Sequence, residues 1–206
     1  STNTSHADSA DVSVMVAFDH EEVGSTSANG AGSPVMQEAL QRIASGLHGG
    51  TMISPDLYSA CLRRSFILSI DQAHAIHPNY SSKHEAAHAP QLNAGVVIKT
   101  NSNQRYATNG ITAFVIRELG RMAGIPIQEF VVRNDCPCGS TIGPTVSALT
   151  GIRTVDAGMP QLSMHSCREV MGIVDLYHGV ELFKTFFSRF RELDNKLSKQ
   201  IDPSSS

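Results

Sequence analysis

Apolar residues in this chain fall first into short unbroken runs and only later into helical stripes. VSVMVAF, residues 12–18, is apolar and rich in β-branched side chains, which predicts a buried strand. It stops abruptly at Asp19-His20-Glu21-Glu22 and gives way to the small, flexible GSTSANGAGSP. Pro34 then opens a helix with Ser33 as its N-cap, running to about Ala44. A second apolar run at 66–70 stops at Asp71, and a loop rich in His, Asn, Ser and Pro fills 72–93. A short strand follows at 96–99. Over 112–123 the spacing turns helical, with Phe114, Val115, Leu119 and Met122 on one side and Gly124 as the stop. The remaining pattern predicts a strand at 130–132, a short helix at 144–149, a strand at 154–157 and a long amphipathic helix over 170–190.

Strands alternating with helices predict an α/β fold, a sheet covered by helices on both faces. The reading is of one domain over 12–195, between a polar leader (1–11) and a polar tail (196–206), without internal repeats. Two strands run out into acidic residues, the first into Asp19, Glu21 and Glu22, the second into Asp71. Open α/β sheets bind ligands at the carboxyl ends of their strands. Carboxylates gathered there repel one another unless a cation neutralises them.

Composition narrows the function classes. Of 206 residues, 41% are hydrophobic and 17% charged, a globular balance. A net charge of -3 argues against a nucleic-acid partner, which calls for a basic domain. No apolar run approaches the ~18 residues of a membrane span. STNTSHADSADVS lacks the charged-then-apolar layout of a signal peptide, and the chain opens without Met, so a processed or partial chain is expected. Four cysteines, Cys61, Cys136, Cys138 and Cys167, are too few for a disulfide scaffold and read as reduced cytoplasmic thiols.

Several constellations could carry chemistry. A tight turn can aim both Glu21 and Glu22 into one site, where one carboxylate binds a metal and its neighbour takes a proton from water. Asp71 either joins them or caps its own loop as an Asx-turn. His165 could complete an oxygen-rich metal site, since zinc accepts mixed N/O ligands. His84-Glu85-Ala86-Ala87-His88 matches H-E-x-x-H literally, but Pro78 before it and Pro90 after it deny the helix that the motif needs. It reads as coincidence in a His-rich loop. Residues 134–143 form a glycine- and hydroxyl-rich turn before a helix, able to hold an anion at the helix N-terminus but lacking the Lys of a P-loop. Its Cys136-Pro137-Cys138 is tighter than zinc spacing and reads as inert thiols.

Five stretches together resemble the aspartyl aminopeptidases, a family of binuclear zinc exopeptidases: FDHEEVGS (18–25), SIDQAHAIHPNY (69–80), VIKTNSNQRYATN (97–109), VRNDCPCGSTIGP (132–144) and MPQLSMHSCRE (159–169). They stand in the family's order at near-family spacing. The resemblance implies a zinc-exopeptidase-like fold, α/β with a mixed β-sheet and helices on both faces. It implies Glu21 as general base, and Glu22, Asp71 and His165 as zinc ligands in a two-zinc site. It places His74, Lys99 and Tyr106 against the substrate's acidic side chain or the reacting carbonyl. The substrate implied is a peptide with N-terminal Asp or Glu. The intact enzyme is implied to be a homo-oligomer in the cytoplasm, with the vacuole as the alternative. The family pattern also has a His ligand, a bridging Asp and an inserted dimerisation domain upstream of Glu21-Glu22, which nothing here matches. The chain is therefore expected to be the C-terminal part of the catalytic domain, inactive alone. The alternative is a non-catalytic subunit or truncated interaction module that keeps the fold. Either way, Glu21, Glu22, Asp71 and His165 are expected to converge at the strand C-termini.

Overall fold

The computed structural model describes residues 11–201. A four-stranded sheet forms the centre, in the order β1 (Phe66–Ile70), β5 (Arg153–Gly158), β3 (Val96–Thr100), β4 (Ile127–Val131). β1 runs parallel to β5 and β3 parallel to β4, while β3 and β5 are antiparallel. The sheet is mixed, as the resemblance implied. A small second sheet, β2 (Ala73–His74), β6 (Pro160–Leu162) and β7 (Val170–Met171), lies outside that expectation. Its strands are too short to leave a period in the sequence.

Alternation along the strands sorts residues between two faces. Val96 and Ile98 of β3 and Val155 and Ala157 of β5 face α3 (Gly110–Ala123) and α5 (Ile173–Ile201). Ile116, Leu119, Leu182, Phe186, Phe190 and Leu193 complete that core. Phe66 joins it, with its ring 4.9 Å from that of Phe190. The odd-numbered positions of β3, Val97 and Lys99, point to the other face. α4 (Ile142–Thr150) covers that side, so helices lie on both faces.

The helix ends explain where the pattern fell short. α3 begins two residues before the predicted Thr112, because Thr112 serves a capping box. The Asn109 side chain accepts from the N–H groups of Ile111 and Thr112 at 3.0 Å, and the Thr112 hydroxyl accepts from Asn109 N–H. Gly124, at φ 68°, ends it as predicted. α1 (Val35–Leu47) starts after Pro34, and Ser33 Oγ accepts from Val35 N–H at 3.4 Å. α2 (Pro55–Arg64) was not anticipated, although Ser54-Pro55 is a cap followed by Pro at N1. Its Ser54 hydroxyl accepts from Leu57 N–H at 3.3 Å.

Boundaries at both ends are corrected. Residues 12–18 form no strand: 12–17 are exposed, Met15 is 92% exposed, and the segment lies beside Val180, Phe183 and Phe187 of α5. A β-branched run becomes a strand only where a sheet edge pairs its amides, and no described strand does so. At the other end, the helix expected over 170–190 starts only at Ile173, because Val170–Met171 pair as β7, and it continues to Ile201 through the start of the segment read as a tail from 196. Leu193 and Leu197 keep its inner face in the core, and Lys196 pairs with Glu192 at 2.7 Å one turn back. The predicted leader lies outside the described residues up to 10, as does the tail beyond 201. Asp11 is described and pairs with Arg191 at 2.9 Å. No helix among the described residues is long and apolar enough to cross a membrane.

One buried carboxylate joins these layers. Asp156 of β5 has no solvent exposure and accepts from Ser69 Oγ at 2.6 Å, Thr141 Oγ at 2.7 Å and Ala107 N–H at 2.6 Å. α4 packs so closely on it that a Cβ at Gly143 would stand 2.1 Å from Asp156 Oδ2. Gly143→Ala should therefore destabilise the fold by about 2 kcal/mol. Gly46→Ala, in α1 where a Cβ meets nothing within 4 Å, should stabilise it by about 0.5–1 kcal/mol. Denaturant unfolding of the two variants tests both signs. A neutral Gly143→Ala would mean that α4 does not sit on Asp156.

Candidate active site

The Glu21–Val23 segment is a single 3-10 turn. His20 at φ 64° and Gly24 at φ 99° flank it in left-handed conformation, and Ser25 N–H donates back to His20 O at 2.9 Å. Within this turn Glu21 is half-buried and Glu22 exposed. His165 sits at φ 66° in the turn after β6, with its own N–H donating to Glu169 at 2.5 Å. Its Nε2 lies 2.8 Å from Glu22 Oε2.

Asp71 directly follows β1. Its N–H donates to Ala157 O at 3.1 Å, and its carboxylate accepts from Lys99 Nζ at 3.1 Å. Lys99 is 1% exposed, and its ammonium also donates to Gln72 O at 3.0 Å and lies 5.2 Å over the Tyr106 ring. Tyr106 packs with Phe130 and Val97 on the α4 side of the sheet.

Electrostatics tie the two groups together. The Glu21 carboxyl is raised above its ordinary value, first by burial and then by the charges of Asp71 and Glu22, against opposing pulls from Lys99 and His165. His74 is lowered, first by burial and then by His84, Lys99 and His165, with Asp71 opposing. Burial and the neighbouring Cys138 push the Tyr106 hydroxyl well upward. Direct contacts join Glu22 to His165 and Lys99 to Asp71 and Tyr106, while Glu21 and His74 are linked by charge to Asp71, Lys99 and His165. The donors suit zinc in kind, an imidazole nitrogen meeting carboxylate oxygens. The set is partial: among the described residues, no three His, Cys, Asp or Glu side chains meet closely enough to hold a metal.

The H-E-x-x-H stretch behaves as its prolines foretold. Residues 84–90 are not helical. His88 pairs with Glu85 and lies 3.9 Å from Glu129, whereas His84 sits edge-on to Phe130 with ring centroids 5.8 Å apart. The turn before α4, read as able to hold an anion, stands against a carboxylate of the chain itself. The Asp156 carboxylate lies against Gly143 in the first turn and accepts from Thr141. Sequence reasoning missed Asp156. Its only signal was a charge inside the otherwise apolar TVDAG strand.

The sequence profile of the family described as aminopeptidase I zinc metalloprotease (M18) matches residues 1–187. This chain belongs to the M18 family. It is 52% identical over 187 residues to a protein of Ricinus communis named a probable aspartyl aminopeptidase, covering 91% of this chain and 37% of that protein. It is 50% identical to a chain in a cryo-EM structure of an Ape4 and Nbr1 complex, with a TM-score of 0.82 over 87% of this chain and 33% of that one. A dodecamer of mApe1 from Saccharomyces cerevisiae gives 32% identity and a TM-score of 0.76, over 87% and 39% of the respective chains. This M18 chain thus spans about two fifths or less of these relatives.

Burial of Lys99 makes a direct prediction. Acetylation of the native protein, read by peptide mass spectrometry, should modify the exposed Lys184 and Lys196 at least about tenfold faster than Lys99, with the difference lost in denaturant. Equal native rates would place Lys99 at the surface.

Proposed function

We propose that this chain carries the general base, part of the zinc ligand set and the acid-selective pocket of an aspartyl aminopeptidase, an enzyme that removes N-terminal Asp or Glu from peptides. The observation that carries the reading is the 2.8 Å contact of His165 with Glu22, directly beside a Glu21 whose carboxyl is raised. Glu22, Asp71 and His165 would hold zinc, two ions in each complete catalytic domain. The remaining ligands would come from the part of the relatives' length that this chain does not span. Zinc there supplies Lewis acidity, polarising the scissile carbonyl and lowering the pKa of the attacking water to about 7.

The chain's own residues do the rest. Glu21 takes the water proton and returns it to the leaving amine. Its raised carboxyl suits both directions of transfer better than an ordinary glutamate. Lys99, His74 and Tyr106 favour an acidic side chain at the substrate's N-terminus, Lys99 acting by charge while Asp71 and Gln72 hold its ammonium in place. Assembly into a homo-oligomer belongs to the same proposal, on the likeness to a chain described as a dodecamer. So does a cytoplasmic location, on four unpaired thiols.

A second reading, a non-catalytic module with the aminopeptidase fold, is favoured by the lack of any three-residue metal cluster among the described residues. Hydrolysis of an Asp-coupled chromogenic amide with added zinc separates the two. It should be negligible for this chain and robust for a version extended to the relatives' full length. Inactivity of both would favour the non-catalytic module.

In the extended protein, Glu21→Gln should cut turnover by about 10²–10⁴-fold and leave zinc bound. Glu22→Gln should lower zinc content, because an amide is the poorer ligand. His88→Ala should change neither. Zinc loss from Glu21→Gln with full occupancy in Glu22→Gln would exchange the two roles.

A further inference from the structure

A polar pocket of about 250 Å³ opens beside Tyr106, between the loop after β3 and the loop after β4. Asn101, Asn103, Arg105, Arg133, Asn134 and Cys138 are among its lining residues. No carboxylate lines it, and its side chains are rich in N–H donors. The two arginines differ. Arg133 is spent: its guanidinium donates to Asp135 at 2.9 and 2.5 Å and to Ser82 O at 2.6 Å. Arg105 is exposed, and its guanidinium has no hydrogen-bond or ion-pair partner among the described residues. Only its carbonyl is used, accepting from Ser140 Oγ at 3.1 Å. The Asn101 carbonyl is likewise taken, accepting from Asn103 N–H at 2.8 Å, which leaves the amide's N–H groups as what it can offer. A concave surface with a free guanidinium, amide donors and no acid is complementary to an anion.

Its position says which anion. Tyr106 links pocket and active site: Lys99 lies over its ring, and the Cys138 thiol sits beside its hydroxyl. An aminopeptidase holds the N-terminal residue at the reacting centre, so the only peptide left to occupy a neighbouring pocket lies downstream of the scissile bond. We infer that this pocket is a second carboxylate subsite, in which Arg105 pairs with an acidic group downstream in the peptide, either a Glu or Asp side chain or the terminal carboxylate. The inference rests on the aminopeptidase reading for its substrate and on the pocket alone for its chemistry.

Equilibrium binding to the full chain, with chelator present, tests it. Labelled Asp-Ala-Ala-Glu-amide should bind about five- to tenfold tighter than Asp-Ala-Ala-Gln-amide at low salt, and less so at high salt. Arg105→Gln should erase that preference without weakening the Gln peptide. Because Arg105 is exposed, the variant should unfold at the wild-type midpoint. Asp-Ala-Ala as free acid against its amide separates a terminal carboxylate from a side chain as the favoured source. Ala-led versions of the same peptides separate the two readings. A Glu preference that persists while Asp and Ala leaders bind alike keeps the subsite and sinks the acid-selective pocket. Equal binding of Glu and Gln peptides, no binding of any peptide, or a preference that survives in Arg105→Gln overturns the subsite.

Discussion

A carboxylate shut away from water organises this molecule. An unpaired charge at Asp156 would be too costly to bury, so its oxygens must be met by donors, and here each donor comes from a different part of the chain. Ser69 brings β1, two residues before Asp71. Ala107 brings the loop after β3, one residue after Tyr106. Thr141 brings the start of α4, three residues after Cys138. The requirement to satisfy one buried charge therefore fixes the relative positions of Asp71, the proposed zinc ligand, of Tyr106, the proposed substrate contact, and of the wall of the neighbouring pocket. The same carboxylate lies at the N-terminal end of α4, so the helix dipole adds to the hydrogen bonds.

Lys99 is the second buried charge, and its solution is different. It lies on β3 between Ile98 and Thr100 and points away from the aliphatic core, where Asp71, the Gln72 carbonyl and the Tyr106 ring receive its ammonium. Asp71 keeps contact with water, so the pair is not sealed and its carboxylate remains approachable. With the ammonium held deep by a rigid strand and its carboxylate partner at the rim, the pair turns its negative end outward, so Lys99 would draw an acidic side chain only where a cation at the rim neutralises Asp71.

Much of this was legible from residue order. The run at 66–70 is β1 to the residue, because a short apolar run ending in Asp has one place to stop. Gly124 ended α3 because a left-handed cap needs no other signal. Motif order named both Glu22 with His165 and Asp71 with Lys99, pairs that stand 2.8 and 3.1 Å apart. The failures share a physical origin. VSVMVAF has every local property of a buried strand, but a strand is a relation between two segments, and no described edge receives it. The strands of the second sheet are set by tertiary pairing and carry no period. Asp156 depends on residues far away in sequence, which spacing cannot express.

The unpaired segment at 12–18 also shows how the Glu21-Glu22 turn is held. Without a strand behind it, the turn takes its shape from local closure. Ser25 is buried, its N–H returns to His20 O, and its carbonyl accepts from Gly32 N–H at 3.0 Å. Gly30 packs against the same residue so tightly that a Cβ there would stand 2.4 Å from Ser25 O. The left-handed His20 and His165, each at a cost of order 1 kcal/mol, then face one another's turns across the Glu22–His165 contact. Strained residues on both sides of a contact whose side chains are about two-thirds exposed are poor contributors to folding and well placed for binding. Asp156 secures the Asp71 and Tyr106 side of the site from beneath. The Glu21, Glu22 and His165 side depends on two self-closed turns, so a cation shared between them would stabilise the very part of the site that the fold supports least.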